Sequence, residues 1–250
     1  MNLIRLSMSE NIATVTLSRP KVNALNEPLV DELHECFQKL ADDPVLKSVI
    51  LTGEGSFFSF GLDVPESLSY SKESFTGFFT RFTDLYASVF LFPKPVVAAL
   101  NGHTIGGGCI LALACDYRLM VSGKAKISLN EVTFGSTVPA GCVEMLKFCV
   151  GGKNAESVLY TGAMYSAEGA KGLGLVHEVV SKENLEEAAR KVAEDFAKKD
   201  SRAFESVKTL LRKQAAEEIR KREKDSILEF VDIWYSESTR NNLQKIKIRD

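Results

Sequence analysis

The run Asn101-Gly-His-Thr-Ile-Gly-Gly-Gly108 lies between a strand pattern, Val96-Val-Ala-Ala-Leu100, and a helical pattern over residues 109–114. Glycine has no Cβ, so a backbone built from it can approach a ligand closely. The first N–H groups of the following helix have no partner within it and can be aimed at negative charge. A tight turn with close strand–helix packing accounts for the same three glycines equally well. A second segment, Ser59-Phe-Gly-Leu-Asp63, also follows a buried-looking strand, Ser48-Val-Ile-Leu-Thr52. Neither nucleotide motif fits: G-x-x-x-x-G-K-[ST] is absent, and the order of Gly102, Gly106, Gly107 and Gly108 is not G-x-G-x-x-G. Phe57-Phe-Ser59-Phe-Gly61 lacks the first glycine of the G-x-S-x-G elbow. His34, His103 and His177 are scattered, and each reads as a structural histidine; only His103 lies near the glycines. With no C-x-x-C or H-E-x-x-H, no metal is expected.

The elements that must position these segments read as alternating strands and helices. Leu3-Ile-Arg-Leu and Ile12-Ala-Thr-Val-Thr-Leu17 alternate around Ser9-Glu-Asn and predict a hairpin. Asn26 is a helix N-cap with Pro28 in the first turn. Leu29, Val30, Leu33, Cys36, Phe37 and Leu40 then follow helical spacing. Residues 53–63 read as a loop, followed by an aromatic-rich helix carrying Phe75, Phe78, Phe79, Phe82, Tyr86 and Phe90, whose stripe reads first as core. Residues 101–108 read as a loop, Tyr117-Arg-Leu-Met-Val121 as a strand, and His177 as part of a short strand. After Pro139 the pattern is almost wholly helical. Residues 203–250 form a long charged amphipathic stretch with Phe230, Ile233 and Trp234, and 217–225 read as a solvated face. The early hairpin rules out a pure doubly wound sheet; repeated strand–strand–helix units fit better.

Composition narrows the function classes. The chain has 250 residues, 45% hydrophobic and 26% charged, enough to bury a full core without staples. Lys and Arg number 31 against 33 Asp and Glu, net −2, so there is no electrostatic footprint for nucleic acid. The five cysteines, Cys36, Cys109, Cys115, Cys142 and Cys149, are expected to be reduced and mostly buried. No secretory start, no membrane-length apolar run and no C-terminal lipidation or peroxisomal signal is seen, so a cytoplasmic protein with no membrane partner is expected.

Taken together, the segments carry a resemblance. Phe58-Ser-Phe-Gly-Leu-Asp-Val64, Asn101 to Cys109 with Cys115-Asp-Tyr-Arg118, and Leu129-Asn-Glu131 resemble the enoyl-CoA hydratase/isomerase (crotonase) superfamily, nearest its Δ3,Δ2-enoyl-CoA isomerases. Arg19-Pro-Lys-Val-Asn-Ala-Leu25 resembles its N-terminal acyl-CoA signature. The match runs to about residue 180; beyond that it holds in pattern only. The resemblance implies an α/β crotonase fold of strand–strand–helix turns, with residues 1–195 as an acyl-CoA-binding catalytic core. Residues 196–250 would be a helical region for oligomerisation and pocket cover. It implies an acyl-CoA thioester partner, CoA as part of the substrate with no further cofactor, and a homotrimer or dimer of trimers.

By the same resemblance, the backbone N–H groups of Leu62 and Gly107 hold an enolate oxygen. Lys21, Ala24, Leu25, Ser59, Phe60, Gly61, Asp63, Gly106 and Ile110 serve substrate and CoA binding. Hydratases of the family carry two glutamates; here the first position is Ile110 and the second Glu131. On its own Glu131 reads as a loop carboxylate or helix cap. In register with the family it is a single acid/base, suited to moving the double bond of a 3-enoyl thioester into conjugation. Ile110, Val138 and some of the aromatics are expected to wall it in and raise its pKa. The alternatives are a hydratase or another single-carboxylate reaction, or a non-catalytic acyl-CoA-binding or RNA-binding member of the fold. Trp234 and Phe230 are left open between capping an acyl pocket and packing at a subunit contact.

Overall fold

Ile4–Ser9 (β1) and Ile12–Leu17 (β2) pair antiparallel with Ser9 opposite Ile12, in a computed structural model that describes residues 2–246. Glu10 in the two-residue turn has φ 56°, as tight hairpins of this type require. Asn26 caps Glu27–Asp42 (α1) by accepting the Leu29 N–H at 3.2 Å, and the six residues at helical spacing are its buried face.

Three strand–strand–helix turns follow. Ser48–Gly53 (β3) is followed by Phe57–Ser59 (β4), Val64–Ser67 (α2) and Lys72–Phe90 (α3). Val96–Leu100 (β5) leads to His103–Ile105 (β6) and Gly107–Ala114 (α4). Tyr117–Val121 (β7) leads to Ile127–Ser128 (β8), a 3-10 turn at Glu131–Phe134, and Ala140–Thr161 (α5). Each turn lays one strand on each of two sheets in the same order. The large sheet runs β1-β2-β3-β5-β7 and ends on Glu178–Val180 (β9); the small one runs β4-β6-β8. Among the described residues, all strand-to-strand pairings within the two sheets after the hairpin are parallel. The chain therefore has the α/β fold expected from the repeated units.

Two segments read as loops contain short strands, β4 and β6. Three residues are too few to display an alternating pattern, and each strand exists through its ladder partner. His177 lies just before β9 rather than within it; its Nδ1 accepts the Arg118 N–H at 3.1 Å and its ring stacks on Tyr117.

The remaining chain is mostly helical. Gly151 (φ 75°) breaks α5 in two. Ala167–Leu173 (α6) precedes β9, and Leu185–Ala197 (α7) packs on β3, β5 and β7. Ser201–Trp234 (α8) packs along α5 and α3, and Glu237–Leu243 (α9) returns to the 3-10 turn. Lys208 and Arg212 of α8 are buried on Asp116, at 2.8 and 2.9 Å. Within the stretch read as solvated, Glu223 turns inward, accepting from Tyr86 Oη and, at 2.6 Å, from the Gly141 N–H. Among the described residues no helix is long and apolar enough to cross a membrane. The C-terminal Ile248-Arg-Asp250 lies outside the described residues.

Candidate active site

The close-packing explanation of the glycines holds in the structure. Gly106 has φ 53° and ψ −122°, a conformation that suits a residue without Cβ. Its N–H donates to Ser128 O at 2.9 Å, tying the glycine run to the strand that leads into Glu131. A Cβ on Gly108 would stand 2.7 Å from both the Cβ and the carbonyl oxygen of Ser59. A Cβ on Gly61 (φ 93°) would stand 2.7 Å from Ile105 O and 2.9 Å from Gly107 N. The Ser59–Asp63 loop and the start of α4 thus touch backbone to backbone.

The segment from Arg19 to Leu25 braces that loop. Leu25 and Leu62 form a parallel bridge: Leu25 N–H donates to Gly61 O at 2.7 Å and Asp63 N–H to Leu25 O at 2.9 Å. Because bonding direction alternates along an extended chain, the Leu62 N–H faces away from Leu25. Among the described residues neither the Leu62 N–H nor the Gly107 N–H has a protein acceptor. Both residues line one cavity of about 70 Å³. The Ser59 hydroxyl donates to Asn23 O and accepts the Gly61 N–H. The Asp63 carboxylate pairs with Arg19 at 2.5 Å and caps α2 through the Glu66 N–H. Arg19 also donates to Ala24 O.

Glu131 opens the 3-10 turn after β8 and is 8% exposed. A methyl on Gly106 would come within 3.2 Å of its Oε1. Its Oε2 is buried with no hydrogen-bond partner. Burial raises its pKa from 4.5 to about 7, against a smaller pull from its own backbone N–H. Among the described residues it is the only ionisable side chain lining the cavity, and Ile110 lines the same space. A carboxyl so placed can take up a proton and return it near neutral pH.

The predicted residues fall in three places. Phe60, Leu62, Gly106, Gly107, Ile110 and Glu131 line the cavity. Ala24, Leu25, Ser59, Gly61 and Asp63 shape its walls from behind. Lys21 (φ 76°) lies elsewhere, exposed on a surface groove with Arg5, Arg19 and Ser56. Of the expected walls, Ile110, Phe79 and Phe82 are present; Val138 is not, its neighbours Thr137 and Pro139 taking that place. Phe230 and Trp234, left open by the sequence, line the cavity. Phe134 and Ile246 line it too, and no local signal marks them. The Glu131 turn is clasped by α9, where Thr239 Oγ1 donates to Gly135 O at 2.6 Å and Asn242 Nδ2 to Phe134 O at 3.3 Å.

The other candidates for chemistry are quiet. Burial pushes the Cys109 and Cys142 thiols well up, so both are packing groups. His103 accepts the Lys126 N–H through Nδ1 and packs its ring on Phe57. Among the described residues no group of three or more His, Cys, Asp or Glu could hold a metal ion.

Comparison with known proteins places the chain in a family. The family described as "Enoyl-CoA hydratase/isomerase" matches residues 7–245. A "Probable enoyl-CoA hydratase" of Bacillus subtilis (strain 168) is 33% identical over 84% of this chain and 82% of its own. The mitochondrial "Enoyl-CoA delta isomerase 1" of Mus musculus is 29% identical over 96% of this chain and 84% of its own. The crystal structure of human mitochondrial delta3-delta2-enoyl-CoA isomerase superposes with a TM-score of 0.93 at 26% identity, covering 97% of this chain and 95% of that one. A family match across nearly the whole chain, joined to the strand–strand–helix fold, establishes that this protein is an enzyme of the enoyl-CoA hydratase/isomerase family.

Proposed function

We propose that the protein moves the double bond of a 3-enoyl-CoA to give the 2-trans-enoyl-CoA. The carrying observation is that Glu131 is the single carboxyl among the described residues lining the cavity, with Ile110 at the position where the resemblance puts the second glutamate of a hydratase. The Glu131 carboxylate takes a proton from C2 of the thioester. Negative charge spreads into a dienolate, and its oxygen accepts hydrogen bonds from the Leu62 and Gly107 N–H groups. Donors fixed where charge develops lower a barrier, each worth about 3 kcal/mol. The same carboxyl then returns the proton at C4. CoA enters as the carrier part of the substrate, and the scheme uses no other group. The apolar walls keep Glu131 near neutrality in pKa, which suits both halves of the transfer.

The similarity to the human isomerase supports this reading; the name of the Bacillus subtilis relative favours hydration. One assay separates them. Purified protein is given a 3-enoyl-CoA and, separately, crotonyl-CoA, and the conjugated-thioester absorbance is followed. Isomerisation should appear with the first, and Glu131→Gln should lower it by roughly 10²–10⁴-fold. Wild-type turnover in that variant would remove Glu131 from the mechanism. Rapid loss of crotonyl-CoA absorbance would make the protein a hydratase. Tight thioester binding with no turnover of either would leave a binding protein.

A further inference from the structure

The far side of the cavity from the backbone donors is a stack of aromatic rings. Phe82 lies against the donor side, since a methyl on Gly107 would meet its Cζ at 3.2 Å. One turn back along α3, Phe79 follows, its ring centroid 6.1 Å from that of Phe82. Phe79 stacks on Phe230 of α8 at 3.9 Å with 9° between the planes. Behind this pair Phe75, fully buried and outside the cavity lining, stacks on Phe79 at 5.9 Å and on Trp234 at 5.0 Å. The space beyond the wall is therefore solid core. The Lys72–Asp232 pair at 2.5 Å and the bond from Tyr235 Oη to Tyr70 O at 2.8 Å hold the ends of α3 and α8 together.

We infer that the Phe79–Phe230 pair is the end stop of the acyl pocket and restricts the substrate to short acyl chains. The inference rests on the acyl-CoA reading above. The cavity measures about 70 Å³, whereas a cavity of about 150 Å³ is what holds one benzene ring. A chain of ten carbons running into this wall would have to displace Phe230 from the three rings it stacks on, Phe75, Phe79 and Trp234. In a close-fitting apolar pocket one surplus methylene can cost about tenfold or more.

Binding of the saturated thioesters butanoyl-CoA and decanoyl-CoA, measured by calorimetry, reads the wall without any chemistry. Wild type should bind butanoyl-CoA at least about tenfold more tightly, and Phe230→Ala should shrink that ratio by about fivefold or more. Thermal unfolding checks that the variant is folded; if it is not, Phe230→Leu, which keeps an apolar side chain in the core, is measured for the same ratio. Equal wild-type affinities, or an unchanged ratio in a folded variant, would overturn the end stop and leave the acyl-CoA reading standing. Binding of neither thioester would overturn both.

Discussion

Burial raises the Glu131 carboxyl to a pKa of about 7, and among the described residues no cation draws the proton off. Its protonation therefore couples to both rate and stability. As the base, it acts in its ionised form, so kcat/KM on a 3-enoyl-CoA should rise with pH and level off above an apparent pKa near 7. A rate flat from pH 5 to 9 would contradict that role. For stability, the folded protein keeps this proton up to about pH 7, whereas the unfolded chain releases it near 4.5. Between those values the native state binds more protons, so this group makes stability fall as pH rises through the window. Glu131→Gln cannot ionise and escapes that loss. Its advantage over wild type should grow from nothing below the window to about 3 kcal/mol above it, by urea unfolding at both ends. Leu129-Asn-Glu131 points to this residue only through its resemblance to a family motif. Its raised pKa is illegible locally, because the walls that desolvate it come from α3, α4 and α8 as well as its own turn.

At the level of elements, the site is a meeting of two backbone segments, and side-chain bulk there acts as a wedge. Gly108→Ala would drive a methyl into Ser59, including its carbonyl, and so push apart the peptides that carry the Leu62 and Gly107 N–H groups. The expected result is a loss of about 1–3 kcal/mol of stability together with a lower kcat. Gly172→Ala in α6 is the control. Nothing lies within 4 Å of its added methyl. The same substitution there should leave kcat alone and raise stability by about 0.4–1 kcal/mol. If both variants behaved alike, close approach would not be the reason for Gly108. The Asn26 cap, the hairpin and the α1 face were readable in advance because each is a short-range pattern. The strands β4 and β6 were not, since three residues become a strand only through a neighbour far along the chain.

Across the whole molecule α8 runs from a buried ion cluster to the cavity wall. Near its start Lys208 and Arg212 are buried on Asp116, which also accepts the Val96 N–H at the head of β5. Eighteen residues of helix beyond Arg212 span about 27 Å and bring Phe230 to the cavity. Nothing in the charged amphipathic run marks Lys208 and Arg212 as interior, because their partner sits between α4 and β7. Removing a partner from a buried ion cluster strands the remaining charge, at a cost of about 3–5 kcal/mol. Asp116→Ala leaves two cations in that position and should lower Tm by roughly 10 °C. Between this clamp and the cavity α8 has independent anchors. Glu223 holds Tyr86 and the Gly141 N–H, and Ser226 Oγ accepts the Ala140 N–H at 2.9 Å. Those anchors should keep Phe230 and Trp234 in place when the distant clamp is lost. The Asp116→Ala protein, assayed well below its lowered Tm, should therefore retain the wild-type kcat and KM. A raised KM in the still-folded variant would mean that α8 moves as one rigid lever, with the cavity wall shifting along with the clamp.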